Sequence, residues 1–343
     1  MSSQSCHMCQ IIPSSMLRKL ALHPDTAVKE RDALLASADA AAFARGERSA
    51  SRFSLMASVS AAGVGKHRDV VDAAGKKKLT GKLVRTEGGP AAADPVANQA
   101  YDQTGATYDF YAEMFGRNSI NGHGMKLEST IHSGKAPDNA FWNGSRMVFG
   151  EPTPNGPFAG SFAALIDVVA HELTHGVTQY TVPGGGLEYV DEPGALNESW
   201  SDVFGSLTKQ WTLKQTAKTA DWLIGAGIIK PKLGTALRSM KQPGSAWQGD
   251  DQPGDMSGYV DGGDVHTNSG IPNRAFFLTA DAIGGNAWEK SGRIWYRALA
   301  FLNAHATFKD AAHATVQAAT LLYGAGGTEV QAVQQAWRTV KVL

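Results

Sequence analysis

The run His171-Glu172-Leu173-Thr174-His175 constrains this chain more than any other stretch. Two histidines four apart on a helix point the same way, about one turn apart. The preceding Phe162, Leu165, Ile166, Val168 and Val169 are apolar on most sides, so the helix, expected to open at Ser161, must be a buried central one. Two imidazoles pointing the same way can reach one small ion. Glu172 is offset around the helix, where it can sit beside that ion and take a proton from a bound water. The competing reading is two solvated or core histidines on an ordinary helix.

A catalytic zinc usually takes three protein ligands and leaves one position for water. Asn197-Glu198-Ser199-Trp200-Ser201-Asp202 offers the third. Glu198 and Asp202 are four apart and share a helix face. Glu198 can bind the ion, and Asp202 can accept the spare N–H of a ligand histidine and fix its tautomer. Alone, the two carboxylates would read as surface charges or a cap pair; beside the histidine helix, the metal role is favoured.

Four segments in order, Asn139–Gly144, His171–Thr178, Gly194–Asp202 and Gly263–Ile271, make the chain resemble the thermolysin-like zinc metalloendopeptidases over roughly residues 66–343. The resemblance implies an α+β fold. A β-rich N-terminal subdomain would be joined by the buried zinc-binding helix to a mainly α-helical C-terminal subdomain, with the cleft between them. It implies one Zn²⁺ on His171, His175 and Glu198, with Glu172 as general base and proton shuttle. Tyr189 and His266 would stabilise the oxyanion, Asp261 would orient His266, and Asp202 would partner His171. Asn139 and the Ala140 backbone would pair with substrate, and Arg238 would stand beside the primary specificity pocket. A bulky apolar residue is expected on the amine side of the cut. Calcium is doubted, because Lys209 stands where a carboxylate is expected and Trp222–Ala226 lacks acids, although Asp167 fits. The Val182–Gly186 loop is expected to alter the cleft rim and not the ligand set.

The rest of the chain is read into three parts: 1–52, 53–186 and 187–343. Met16–Leu20 and Val28–Phe43 read as short helices, and Arg45–Arg52 as a polar, flexible nicking site. Val70–Gly75, Lys82–Arg85, Leu127–His132 and Ala140–Phe149 read as strands, the last as one continuous strand. Val96–Phe115, Ala195–Trp211, Pro272–Ile283, Ala287–Leu302, Phe308–Tyr323 and Thr328–Val340 fit helical periods. The N-terminal part resembles the short prosegment of the protealysin-like branch, which implies a zymogen whose own prosegment occupies the cleft and is clipped near residues 46–60. The alternative is a disordered tail. Cys6 and Cys9, the only two cysteines, exclude a disulfide-stapled scaffold. They read as an adventitious thiol pair, or as a thiolate cap on the zinc of the proenzyme.

Lys+Arg and Asp+Glu balance at 32 each over 343 residues, which argues against nucleic acid or a charged membrane surface as partner. Protein or peptide substrates and a monomer are expected. No apolar run is long enough to span a bilayer, and no secretory apolar core is visible at the start. Secretion is expected by family resemblance, with an intracellular peptidase of narrow substrate as one alternative. A catalytically silent binding module is another, opposed by the filled catalytic positions.

Overall fold

The structure, a computed structural model, describes residues 10–55 and 65–343, and side chains except those of 42–55. Two helices begin it, α1 (Ser14–Ala21) and α2 (Val28–Leu55). In α1, Met16, Leu17, Leu20 and Ala21 fall on one face and are all buried. On α2, Leu34, Ser37, Ala38 and Ala41 repeat the pattern and are buried too. The segment expected to be a flexible site at 45–52 instead continues α2 to Leu55. Its Ala, Glu and Arg are good helix formers, and a single glycine, Gly46, costs only about 1 kcal/mol.

Next come β1 (Arg68–Asp72), β2 (Lys82–Thr86), α3 (Pro95–Phe115), β3 (Leu127–Ile131), β4 (Ala140–Trp142) and β5 (Met147–Phe149). They form a five-stranded sheet in the order β2-β1-β3-β5-β4. β1/β3 and β3/β5 are parallel; the two outer pairs are antiparallel. The continuous strand expected over 140–149 is a hairpin. Asn143 Oδ1 accepts from the backbone of Ser145 and Arg146, and Gly144 takes φ 99°, so the chain reverses at Asn-Gly. β4 is left as the sheet's outermost strand, and Gln10 forms an antiparallel bridge with its Phe141. The N-terminal segment thus extends the sheet.

The helical half follows: α4 (Ile166–Thr181), α5 (Asp191–Leu213), a small ribbon of β6 (Leu223–Ile224) with β7 (Arg238–Ser239), then α6 (Val265–Asn268), α7 (Gly270–Ile283), α8 (Lys290–Ala298), α9 (Phe308–Tyr323) and α10 (Thr328–Thr339). Ser161 does not open α4 as expected. Its side chain caps one 3₁₀ turn, Phe162–Ala164; Leu165 is then extended, and α4 starts at Ile166. The helix expected from Ala287 starts at Lys290 and ends in a 3₁₀ turn, Leu299–Phe301. Among the described residues no helix is long and apolar enough to cross a membrane.

α4 is buried on every side from Asp167 to Thr178, and two glycines set its distances. A Cβ on Gly176 would lie 2.4 Å from Ile120 Cγ2 and 3.1 Å from Trp142 Cε2, so a larger residue would push α4 off β4. A Cβ on Gly205 of α5 would lie 2.6 Å from the Asp167 carbonyl oxygen and 3.4 Å from His171 Cβ. The approach of α5 to α4 depends on that missing methyl group. One core cluster runs through both halves and includes Ile11, Ile12, Met16, Leu17 and Leu20 of the N-terminal segment.

Candidate active site

α4 carries His171, Glu172 and His175; α5, held close by Gly205, carries Asn197, Glu198, Ser201 and Asp202. All seven are buried. His171 Nε2 lies 3.1 Å from His175 Nε2. Glu198 puts Oε2 3.3 Å from the first ring and Oε1 3.5 Å from the second. The far ring atoms are engaged: His171 Nδ1 lies 2.8 Å from Asp202 Oδ1, and His175 Nδ1 lies 2.8 Å from Asn197 Oδ1 and 3.0 Å from Ser201 Oγ. Acceptors on Nδ1 place the neutral ring's lone pair on Nε2. Two lone pairs and a carboxylate then converge on one point, an arrangement that repels itself unless a cation or proton lies among them.

The ionisations agree. Burial lowers His171, but bonds from Asp202 and Glu198 outweigh it and raise the ring to about 9. Burial favours a protonated Glu198, yet the fields of His266, His175 and His171 hold it well below the ordinary carboxylate range. Glu172 Oε1 is buried with no hydrogen-bond partner among the described residues. Two imidazoles and a carboxylate are a donor set that suits zinc. Its binding would release the proton that His171 otherwise keeps.

Glu172 belongs to the same cluster: its carboxylate and the two imidazoles offer atoms within 4.8 Å of one another. Its Oε2 accepts from the Trp142 backbone N–H at 2.9 Å, which aims Oε1 inward. Burial raises its pKa to about 8, the Glu198 charge adding and the His171 charge opposing. The Tyr189 hydroxyl donates to Glu198 Oε1 and lies 3.4 Å from His266 Nε2. His266 is buried, and its pKa is raised because Glu198 and Asp264 outweigh burial and the opposing Arg238.

Asp261 does not orient His266. Asp264 caps α6, accepts from the His266 backbone N–H at 2.9 Å and lies 2.8 Å from His266 Nδ1, while Asp261 is exposed in the turn before it. The cap geometry brings residue 264, two before the histidine, onto its ring. Asp202 also takes two 2.8 Å bonds from Arg238 and one from Asn273 Nδ2. Sequence reasoning gave no role to Asn197, Ser201, Asp264 or Asn273. Only Asn197, adjacent to Glu198 and four before Ser201, carried a spacing signal that could have found it.

The residues expected to hold substrate hold the N-terminal segment. Asn139 Oδ1 accepts from Ile12 N at 3.0 Å, and Asn139 Nδ2 donates to Ile12 O at 2.8 Å and to Gln10 Oε1 at 3.0 Å. Ile11 N donates to Ala140 O at 3.3 Å, and Arg238 Nη1 donates to Ile11 O at 3.0 Å. The His266 ring nitrogen Nε2 lies 2.9 Å from the Gln10 carbonyl oxygen. The cavity left between Pro13, Met16, Arg238 and His266 is about 30 Å³, room for roughly a water or two. Farther along, Ser37 Oγ donates to Asp138 Oδ2 at 2.7 Å, and Lys19 pairs with Asp251 at 2.6 Å. Cys6 and Cys9 lie outside the described residues, as does part of the expected clip region, 56–60.

Lys209 Nζ lies 3.1 Å from Asp167 Oδ2 and 2.9 Å from Asp221 Oδ1, and donates to Leu223 O at 2.5 Å. An ammonium therefore neutralises Asp167, the acid expected to fit calcium, together with Asp221. Gly186, at φ 103°, ends the Val182–Gly186 loop after α4.

The chain matches the family model for the thermolysin metallopeptidase catalytic domain over residues 47–179 and that for the thermolysin metallopeptidase alpha-helical domain over 185–342. An extracellular metalloprotease of Pectobacterium carotovorum subsp. carotovorum is 47% identical over 288 residues, covering 80% of this chain and 81% of that one. Thermolysin of Alicyclobacillus acidocaldarius subsp. acidocaldarius is 41% identical over 261 residues, covering 74% of this chain but 46% of that one. Among solved structures, the precursor of protealysin, a metalloproteinase from Serratia proteamaculans, superposes with a TM-score of 0.85 at 42% identity, covering 98% of this chain and 100% of the other.

Proposed function

We propose a mechanism from the premise that this chain belongs to the thermolysin family of metallopeptidases and is a zinc-dependent endopeptidase with a prosegment. His171, His175 and Glu198 hold the zinc. The observation that carries this is the meeting of both Nε2 atoms and the Glu198 carboxylate while each Nδ1 is engaged elsewhere. When bound, zinc supplies Lewis acidity, making a water acidic and polarising the peptide carbonyl.

Glu172 accepts the proton of the attacking water and returns it to the leaving amine. Its Oε2 is fixed on Trp142 and its Oε1 is left for the transfer; a pKa raised by burial suits a group that must both take and give a proton near neutrality. His266, whose protonated form Glu198 and Asp264 favour, and the Tyr189 hydroxyl donate to the developing oxyanion. Asp264 orients the histidine. Asp202 and Asn197 fix the rings of His171 and His175, and Arg238 and Asn273 hold Asp202 in place.

Asn139, the Ala140 carbonyl and Arg238 bind the substrate backbone. What supports this is that they bind residues 11 and 12 of the prosegment in that way. The pocket takes a bulky apolar side chain on the amine side of the cut. The prosegment, spanning residues 1–52, inhibits by filling the cleft and is clipped near 46–60. Lys209 replaces calcium, the enzyme acts as a monomer, and secretion is its destination, as the name of its extracellular relative suggests.

The test is Glu172→Ala. The variant retains one zinc per chain by metal analysis and loses about 10²–10⁴-fold in peptide turnover. Loss of the metal instead would make Glu172 a ligand and overturn the scheme.

A further inference from the structure

The prosegment is pinned in one backbone register. Both polar groups of residues 11 and 12 are engaged: Ile11 N on Ala140 O, Ile11 O on Arg238, Ile12 N and O on the two ends of the Asn139 amide. These four bonds fix which of the two residues faces each anchor. With that register set, the Gln10 carbonyl oxygen lies 2.9 Å from His266 Nε2, itself 3.4 Å from the Tyr189 hydroxyl. These are the two groups assigned above to the oxyanion. The following side chain, Ile11, is fully buried. Its own carbonyl meets Arg238, as a residue on the amine side of a scissile bond should.

We propose that Gln10–Ile11 is a self-cleavage site, the first bond this enzyme cuts in its own chain, and that the cut leaves the cleft filled. This rests on the function proposed above. The water oxygen bonds to the Gln10 carbonyl carbon as Glu172 takes one water proton, and the carbonyl electron pair moves onto the oxygen facing His266. Collapse restores the C=O bond and breaks the C–N bond, and the Ile11 nitrogen receives the Glu172 proton. The new carboxyl group's proton then passes to that amine. One water is consumed, leaving a carboxylate on Gln10 and an ammonium on Ile11.

Residues from Ile11 onward keep their anchors. Ile11 and Ile12 stay buried, Arg238 and Asn139 still hold their carbonyls, and Lys19–Asp251 and Ser37–Asp138 lie outside the reaction centre. The cut product is therefore an inhibitor docked as a product would be.

Purified full-length protein is loaded with zinc at concentrations spanning a hundredfold and followed by intact mass and N-terminal mapping. Ile11 is expected as the first new N-terminus, at a rate independent of protein concentration, with no rise in hydrolysis of an added peptide. Ile11→Leu keeps the cut. Ile11→Asp slows it by at least about 100-fold, because a charge cannot replace a fully buried apolar side chain. In zinc-free protein, where no cut can confuse the result, Ile11→Asp also removes the hydrogen-exchange protection expected at the Ile11 and Ile12 amides, whereas Ile11→Leu preserves it. If zinc-loaded protein hydrolyses added peptide through Glu172 while Gln10–Ile11 stays whole, the self-cleavage site is refuted and the proposed function stands. If no peptide is hydrolysed by any processed form, both fall.

Discussion

Ser37→Ala isolates the strength of the prosegment clamp without touching the catalytic residues. Ser37 lies on α2, 2% exposed, and donates at 2.7 Å to Asp138, which is 0% exposed. Asp138 also accepts from Thr153 N at 2.5 Å and Thr153 Oγ at 2.6 Å, so it keeps two donors when Ser37 is truncated. A hydrogen bond to a charged group contributes about 1.5–3 kcal/mol. Replacing serine by alanine within a helix returns about 0.5 kcal/mol through propensity. The net loss is then about 1.5 kcal/mol, roughly a tenfold increase in the open population at 1.4 kcal/mol per decade. The assay is the initial rate on a small peptide before any clip near 46–60, with the N-terminus mapped in parallel. Unprocessed Ser37→Ala should be about tenfold less latent than wild type, while the two processed enzymes have equal kcat/KM. Equal latency in a variant of unchanged melting temperature would refute the argument that α2 clamps the cleft through Asp138.

Four further outcomes are expected. His266→Ala should lower kcat by about 10²–10³-fold with a smaller change in KM, measured on the processed enzyme; a pure KM effect would remove His266 from the oxyanion role. Lys209→Met should destabilise by about 3 kcal/mol, because Asp167 is left buried without its cation. Millimolar calcium should leave the wild-type melting temperature unchanged, and a rise would refute the substitution of ammonium for calcium. His132 should make stability depend on pH: burial lowers its pKa, but bonds to Asp94 and Glu151 at 2.7 and 2.5 Å outweigh that and raise it. Its contribution is complete below the unfolded value of about 6.5 and is lost as pH climbs through the raised folded value. The melting-temperature gap between wild type and His132→Gln should therefore shrink between pH 6 and 9, and a constant gap would count against it.

The candidate site was legible in the sequence where grouping follows from spacing. His171 and His175, then Glu198 and Asp202, are each one helical turn apart, and a turn's separation fixes a shared face before any tertiary structure is known. What joins the two pairs was not legible. Gly205 lets α5 approach α4, but a glycine inside a helix gives no sign of which helix it faces. Asp264 was missed because two carboxylates precede His266 at short range. Spacing alone does not separate them; only the turn that makes Asp264 a cap does. The hairpin at Asn143-Gly144 was hidden by strong β-formers on both sides, although Asn-Gly was itself a turn signal. α2 outran its expected end because charged, loop-like composition is also good exposed-helix composition.

Asn139, Ala140, Arg238 and His266 cannot serve residues 10–12 and a foreign peptide together. While the chain is continuous, a short tether presents the inhibitor at an effective concentration on the order of millimolar. Severing the tether leaves every contact intact but makes the inhibitor's hold depend on how many molecules share the volume. A crowded solution of nicked molecules would stay quiet, and dilution alone would start the enzyme.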